Sequence, residues 1–110
     1  MRGDNGVMHA VAVRFELVIP ESQSLKAKRA VLRPIVDGLR HRLHVSVSEV
    51  DHQDTWQRAA IAVALVAPTD GRLREILSTV ERQVANAPGV ELLDVEAAWL
   101  DPESSPLGGD

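Results

Sequence analysis

The chain has 110 residues, of which 45% are hydrophobic and 25% charged, and carries a net charge of −4. That length accommodates one domain around one core. The absence of cysteine excludes disulfides, thiolate catalysis and cysteine-ligated zinc or iron–sulfur sites.

Phe15, Trp56 and Trp99 are the only aromatic residues, so the core has to be aliphatic. No stretch approaches the ~18 apolar residues of a spanning helix. The opening MRGDNGVMHA lacks the charged-then-apolar layout of a secretory signal. A cytoplasmic location is the resulting expectation.

Residues 1–7 read as a polar tail. From there to Ile19 apolar and polar residues alternate, with Val11, Val13, Phe15, Leu17 and Ile19 on one face. This is the pattern of a half-buried strand, and Pro20 ends it. Ser24 is placed to cap a helix. Leu25, Leu32, Ile35, Val36, Leu39 and Leu43 then share one helical face. Pro34 removes a helix hydrogen bond in the middle of that run. Because the apolar phase continues across it, the spacing predicts one kinked helix over 25–43.

His44–Val50 reads as a second strand whose parity slips near Glu49, which a β-bulge would absorb. Ala59, Ile61, Val63, Leu65 and Ala67 mark a third strand, ended by Pro68. Asp70 is placed as the cap of a second helix bearing Leu73, Ile76, Leu77, Val80 and Val84 on one side. Asn86-Ala-Pro-Gly stops that helix. Leu93, Val95, Ala97 and Trp99 alternate in a last strand, and residues 101–110 (DPESSPLGGD) read as a disordered tail.

The order β-α-β-β-α-β over residues 8–100 predicts an α+β, ferredoxin-like sandwich: a four-stranded antiparallel sheet with both helices on one face. The other face would hold Ala10, Ala12, Arg14, Glu16, Arg58, Ala60, Ala62, Ala64, Asp94, Glu96 and Ala98. On it, Arg14 and Arg58 would either pair with Glu16, Asp94 or Glu96 or point to water.

Three segments of this layout resemble the YlxP-like family, a bacterial family of unknown function. They are SLKAKRAVL (Ser24–Leu32), VSVSEVDHQDTWQRA (Val45–Ala59) and GVELLDVE (Gly89–Glu96). The resemblance covers about residues 8–100. It implies a ferredoxin-like fold and a gene that in many bacteria lies among those for translation and ribosome maturation. It implies no assigned activity.

Charge is unevenly spread. Residues 24–44 hold Lys26, Lys28, Arg29, Arg33, Arg40 and Arg42 against Asp37 alone, so an acidic protein carries one basic helix. Lys26, Arg33 and Arg40, spaced by seven, form a stripe suited to a phosphate backbone. Lys28 lies near the apolar face. It either snorkels past the core edge or joins Arg29 in gripping an anion beyond the sheet.

The densest run of chemically capable groups is Asp51, His52, Gln53, Asp54, Thr55, Trp56, Gln57 and Arg58. Two carboxylates around one histidine suit a general base or a metal, but no nucleophile or anion-stabilising group accompanies them. A hairpin also needs such polar residues to satisfy its own backbone. The segment is therefore read as hairpin structure or an interaction loop, with Trp56 either at the core edge or an exposed anchor. No phosphate-cradling GxxxxGK[ST] or GxGxxG stretch exists. The alanine-rich sheet face cannot stack bases as an RNA-recognition motif does.

These readings lead to a non-enzymatic binding domain without metal or cofactor. Its partner would be RNA or a ribosomal particle, held by Lys26, Lys28, Arg29, Arg33 and Arg40. The alternative is a small homodimeric interaction or regulatory module that packs through the alanine-rich face.

Overall fold

A computed structural model describes residues 8–100 as six elements: β1 (His9–Val18), α1 (Leu25–Leu43), β2 (Ser46–Asp51), β3 (Arg58–Ala67), α2 (Asp70–Ala85) and β4 (Glu91–Trp99). The two tails expected at residues 1–7 and 101–110 lie outside the described residues. All strand pairs are antiparallel, and the sheet order is β2-β3-β1-β4. This is the ferredoxin-like α+β arrangement that the alternation of patterns predicts.

Strand alternation divides the sheet into two faces. Val11, Val13, Phe15, Leu17 and Ile19 are buried with Ile61, Val63 and Leu65 beneath Leu32, Ile35 and Leu39 of α1 and Leu73, Leu77, Val80 and Val84 of α2. Ala10, Ala12, Arg14 and Glu16 pair with Val66, Ala64, Ala62 and Ala60 on the open face. Ala98, Glu96 and Asp94 of β4 extend that face beside β1.

The Ser24 hydroxyl caps α1 as expected, accepting from the Ala27 N–H at 3.0 Å. The helix runs through Pro34 as a single element. His44 belongs to its C-terminus rather than to β2: it adopts a left-handed conformation (φ 56°) and donates its N–H to Arg40 O. The parity slip in β2 is a register shift between Glu49 and Asp51, which leaves Val50 as the extra residue.

Two further expectations are corrected. The cap of α2 is Thr69, whose hydroxyl accepts from the Arg72 N–H; Asp70 is the first helical residue and pairs with Arg74 one turn on. The second concerns β4, which starts at Glu91 and is irregular opposite Glu16/Leu17, so Leu92 pairs with Leu17 and Leu93 is 52% exposed. Two adjacent leucines carry no parity information, which hides this bulge from a reading of alternation.

Two glycines give substitutions of opposite sign. A Cβ on Gly38 would meet only the far end of the Gln83 side chain, at 3.0 Å. Gly38→Ala is therefore expected to raise stability by up to about 1 kcal/mol through helix propensity. Gly89 has φ +84° and would place a Cβ 3.1 Å from Val31, so Gly89→Ala is expected to cost about 1 kcal/mol or more. Chemical denaturation of the two variants checks the pair of signs.

Candidate functional site

The basic helix and the polar loop meet at the end of the sheet where β2 turns into β3. Lys28, in the first turns of α1, is only 2% exposed. Its ammonium donates to the carbonyl of His52 and lies 3.0 Å from Glu49 Oε2. The Glu49 contact has the distance of an ion pair without an aligned hydrogen bond. Lys28 is thus turned inward and bound, not projecting past the sheet to grip an anion. Its apolar-side position in the helix was the sign of this, and the signal missed was Glu49 on the facing strand.

His52 has φ 62°, a left-handed conformation that histidine visits more readily than most residues but still at a cost. Its carbonyl accepts from both Lys28 Nζ and the Thr55 N–H, so two donors hold the turn. Its N–H donates to Asp51 Oδ1 at 2.7 Å. Gln57 ties the far side of the hairpin to the β1–α1 connection by donating to the carbonyls of Pro20 and Ser22.

The His52 ring reaches the open face. There Glu16, with its side chain 16% exposed, gathers three partners: Arg14 at 3.1 Å, Arg58 at 2.6 Å and His52 Nε2. Arg14 also reaches Asp51 at 3.2 Å. Burial pushes the Glu16 carboxyl upward, but hydrogen bonds from Arg58, Arg14 and His52 outweigh it and hold the group below its usual range. Asp51 is lowered too, by the His52 N–H first and then by Arg14. The Arg58–Glu16 pair follows from strand alternation, whereas the entry of Asp51 and His52 needs the hairpin's actual path.

The rest of the loop points outward. Gln53, Asp54 and Thr55 are exposed, and Trp56 is 51% exposed, a surface residue and not a core-edge one. Trp99 is likewise exposed at the rim, with the Arg74 guanidinium 4.6 Å from its ring centroid. Among the described residues no group of His, Asp and Glu is arranged to hold a metal. Asp51 and Glu16 are engaged with arginines, which compete with any metal for those carboxylates, and the His52 ring is occupied by Glu16.

The remaining predicted cations stay on the outer flank of α1. Lys26, Arg29 and Arg33 are exposed and line one shallow depression with Ala30, Pro34 and Asp37. Arg40 continues the line but donates to the β2 carbonyl of Val47 at 2.7 Å. Among the described residues Lys26, Arg29 and Arg33 form no ion pair, whereas Arg14, Arg58, Arg72 and Arg74 all do.

Two measurements test the junction. Lys28→Met leaves Glu49 and the His52 carbonyl uncompensated and is expected to cost about 3 kcal/mol. Lys28→Met with Glu49→Gln should recover part of that loss in a double-mutant cycle, and a double variant no better than the single would exclude the pairing. Because the carboxyl of Glu16 is lowered in the folded state, its stabilising contribution is complete above its unfolded pKa and is lost as pH falls through the folded value. Glu16→Gln should therefore flatten the acid limb of the stability–pH curve while lowering stability at neutral pH.

With this geometry in place, comparison with known proteins is informative about kinship. Residues 11–97 match the model of a family described as "Protein of unknown function (DUF503)". The uncharacterized protein YlxP of Bacillus subtilis (strain 168) is 33% identical over 85 residues, 77% of this chain and 92% of its own length. Among solved structures, the de novo designed protein Foldit4 superposes with a TM-score of 0.52 at 13% identity, over 86% of this chain and 97% of that one. A C-terminal segment of the alpha subunit of aIF2 from Pyrococcus abyssi gives 0.48 at 18% identity, over 84% of this chain and 49% of that one. The designed protein shares only the fold, while the family match spans both the Lys28–Glu49–His52 junction and the basic flank. The chain belongs to the DUF503 family, whose function is unknown.

Proposed function

We propose that this is a non-enzymatic binding domain of the cytoplasm that holds RNA, free or within a ribosomal particle, against the outer flank of α1. The observation that carries the reading is the set of three exposed cations, Lys26, Arg29 and Arg33, lining one depression without an ion-pair partner among the described residues. Its first turn has no acidic residue to offset the positive end of the helix. A phosphate backbone gains from such a row through release of its counterions. Arg40 extends the row toward β2, where its bond to Val47 fixes its position.

The Lys28 junction supports this surface without belonging to it. Recognition would rest on the spacing of cations rather than on base edges. None of the three aromatic residues stands on the open sheet face: Phe15 is buried, Trp56 is in the hairpin, and Trp99 is on the helix side opposite Val11.

A second reading, a homodimer closed through the open sheet face, is favoured by one feature. Val66 is 68% exposed there beside Ala10, Ala12, Ala64 and Ala98. The two readings separate experimentally. Arg29→Gln with Arg33→Gln should weaken binding of ribosomal RNA fragments, reduce the slope of log K against log salt by about 1.5, and leave the melting temperature unchanged. Unaltered affinity and slope would sink the RNA reading. Ala62→Arg should leave RNA binding intact but abolish any dimer seen by sedimentation.

A further inference from the structure

The two edges of the sheet are finished differently. In antiparallel pairing the backbone groups of successive residues point to alternate sides of a strand. The bond from Leu100 N–H to Ala10 O, taken with the β1–β4 register, assigns Ala98, Glu96 and Asp94 to bonding with β1. The N–H and C=O groups of Val95, Ala97 and Trp99 therefore point away from the sheet. The same alternation turns Val47 and Glu49 outward on β2.

The β2 edge is covered. Arg40 binds the Val47 carbonyl at 2.7 Å, Gln53 lies 3.5 Å from the Glu49 carbonyl, and the bulge at Val50 interrupts the line. Such devices keep an edge from pairing with another chain. The β4 edge lacks the side-chain cover: among the described residues no side chain bonds the outward groups of Val95, Ala97 or Trp99. Its irregularity lies at Leu93, so Asp94–Trp99 is a regular run. α1 does not touch β4, and α2 reaches it with Arg74 over the Trp99 ring.

The side chains of that run say what fits beside it. Asp94 and Glu96 project on the open face, and neither has an ion-pair partner among the described residues; Arg14, opposite Glu96, is held by Glu16 and Asp51. On the helix side, Ala97 leaves a low point between Val95 and the exposed rim residue Trp99. We infer that the β4 edge accepts an extended basic segment of a partner protein as a fifth strand. Lysine or arginine at alternate positions would face Asp94 and Glu96, and apolar residues between them would settle over Ala97. Strand addition of this kind takes affinity from the backbone and specificity from alternate side chains. Charge selects the occupant: β4 of a second copy, running antiparallel about Val95 or Glu96, would set these carboxylates against each other, which is destabilising, whereas a basic segment pairs with them in the same registers.

The test titrates the isotopically labelled full chain with a seven-residue peptide alternating lysine and valine, and with its glutamate–valine counterpart. The lysine peptide should bind saturably and protect the amides of Val95, Ala97 and Trp99 from hydrogen exchange, while the glutamate peptide does not bind. Ala97→Pro removes an outward N–H and no bond to β1. It should keep the fold and weaken binding by about tenfold or more, as should Asp94→Lys with Glu96→Lys. The charge variant decides the matter if Ala97→Pro does not fold. Equal binding of both peptides, perturbation confined to another surface, or undiminished binding by the charge variant overturns the inference. So does protection of the same amides that grows with protein concentration in the absence of peptide, which would assign the edge to a second copy.

Discussion

The contact on which the rest of this structure depends is the burial of the Lys28 ammonium. A charge withdrawn from water costs several kcal/mol unless it finds compensation, and here the compensation comes from the β2–β3 hairpin. The carbonyl of His52 and the carboxylate of Glu49 both converge on the ammonium. The start of α1 is thereby pinned to the hairpin, and the left-handed turn at His52 is held by the same ammonium that the Glu49 carboxylate neutralises. Because the His52 ring then lies against Glu16, the chain of contacts crosses from the helical layer to the open face of the sheet. Glu16 in turn fixes Arg14 and Arg58.

That chain of contacts sorts the cations. Arg14, Arg58 and Lys28 are tied into ion pairs at one end of the sheet, and Arg40 is tied to the β2 backbone. Left without either kind of tie among the described residues of α1 are Lys26, Arg29 and Arg33 on its outer flank and Arg42 near its end. Nearly the whole basic content of the helix is visible in the sequence, but its division into structural and available charges is not. A lysine two positions from another looks the same on paper whether it faces solvent or a carboxylate 21 residues away.

The fold was legible because its periodicities are clean. Val11 to Ile19 and Ile61 to Ala67 alternate in burial, and the apolar stripe of α2 repeats at helical spacing. Where the pattern carried no information, the reading slipped. Leu92-Leu93 hid a bulge, and the cap expected at Asp70 is the Thr69 hydroxyl one residue earlier. The site was legible only in part. Arg14, Glu16 and Arg58 fall on one face by parity alone, whereas Lys28–Glu49 and His52–Glu16 are long-range contacts between elements whose relative placement alternation does not encode. The outward position of Trp56 follows from the hairpin's path, which its polar neighbours leave open.

The same sorting gives the molecule an electrical direction. α1 packs against β2 at one edge of the sheet, with its free cations facing outward, and β4 at the opposite edge carries Glu91, Asp94 and Glu96. The acidic total of the chain and its basic helix are therefore not in conflict, because they occupy different sides. Under the two proposals made above, an anionic partner approaching the β4 side would meet repulsion and a cationic one would be repelled by α1. The two proposed partners would then occupy different sides of the domain without competing. The rigid Lys28–His52–Glu16 chain of contacts, running from helix to open face, is what keeps the two surfaces in fixed relation.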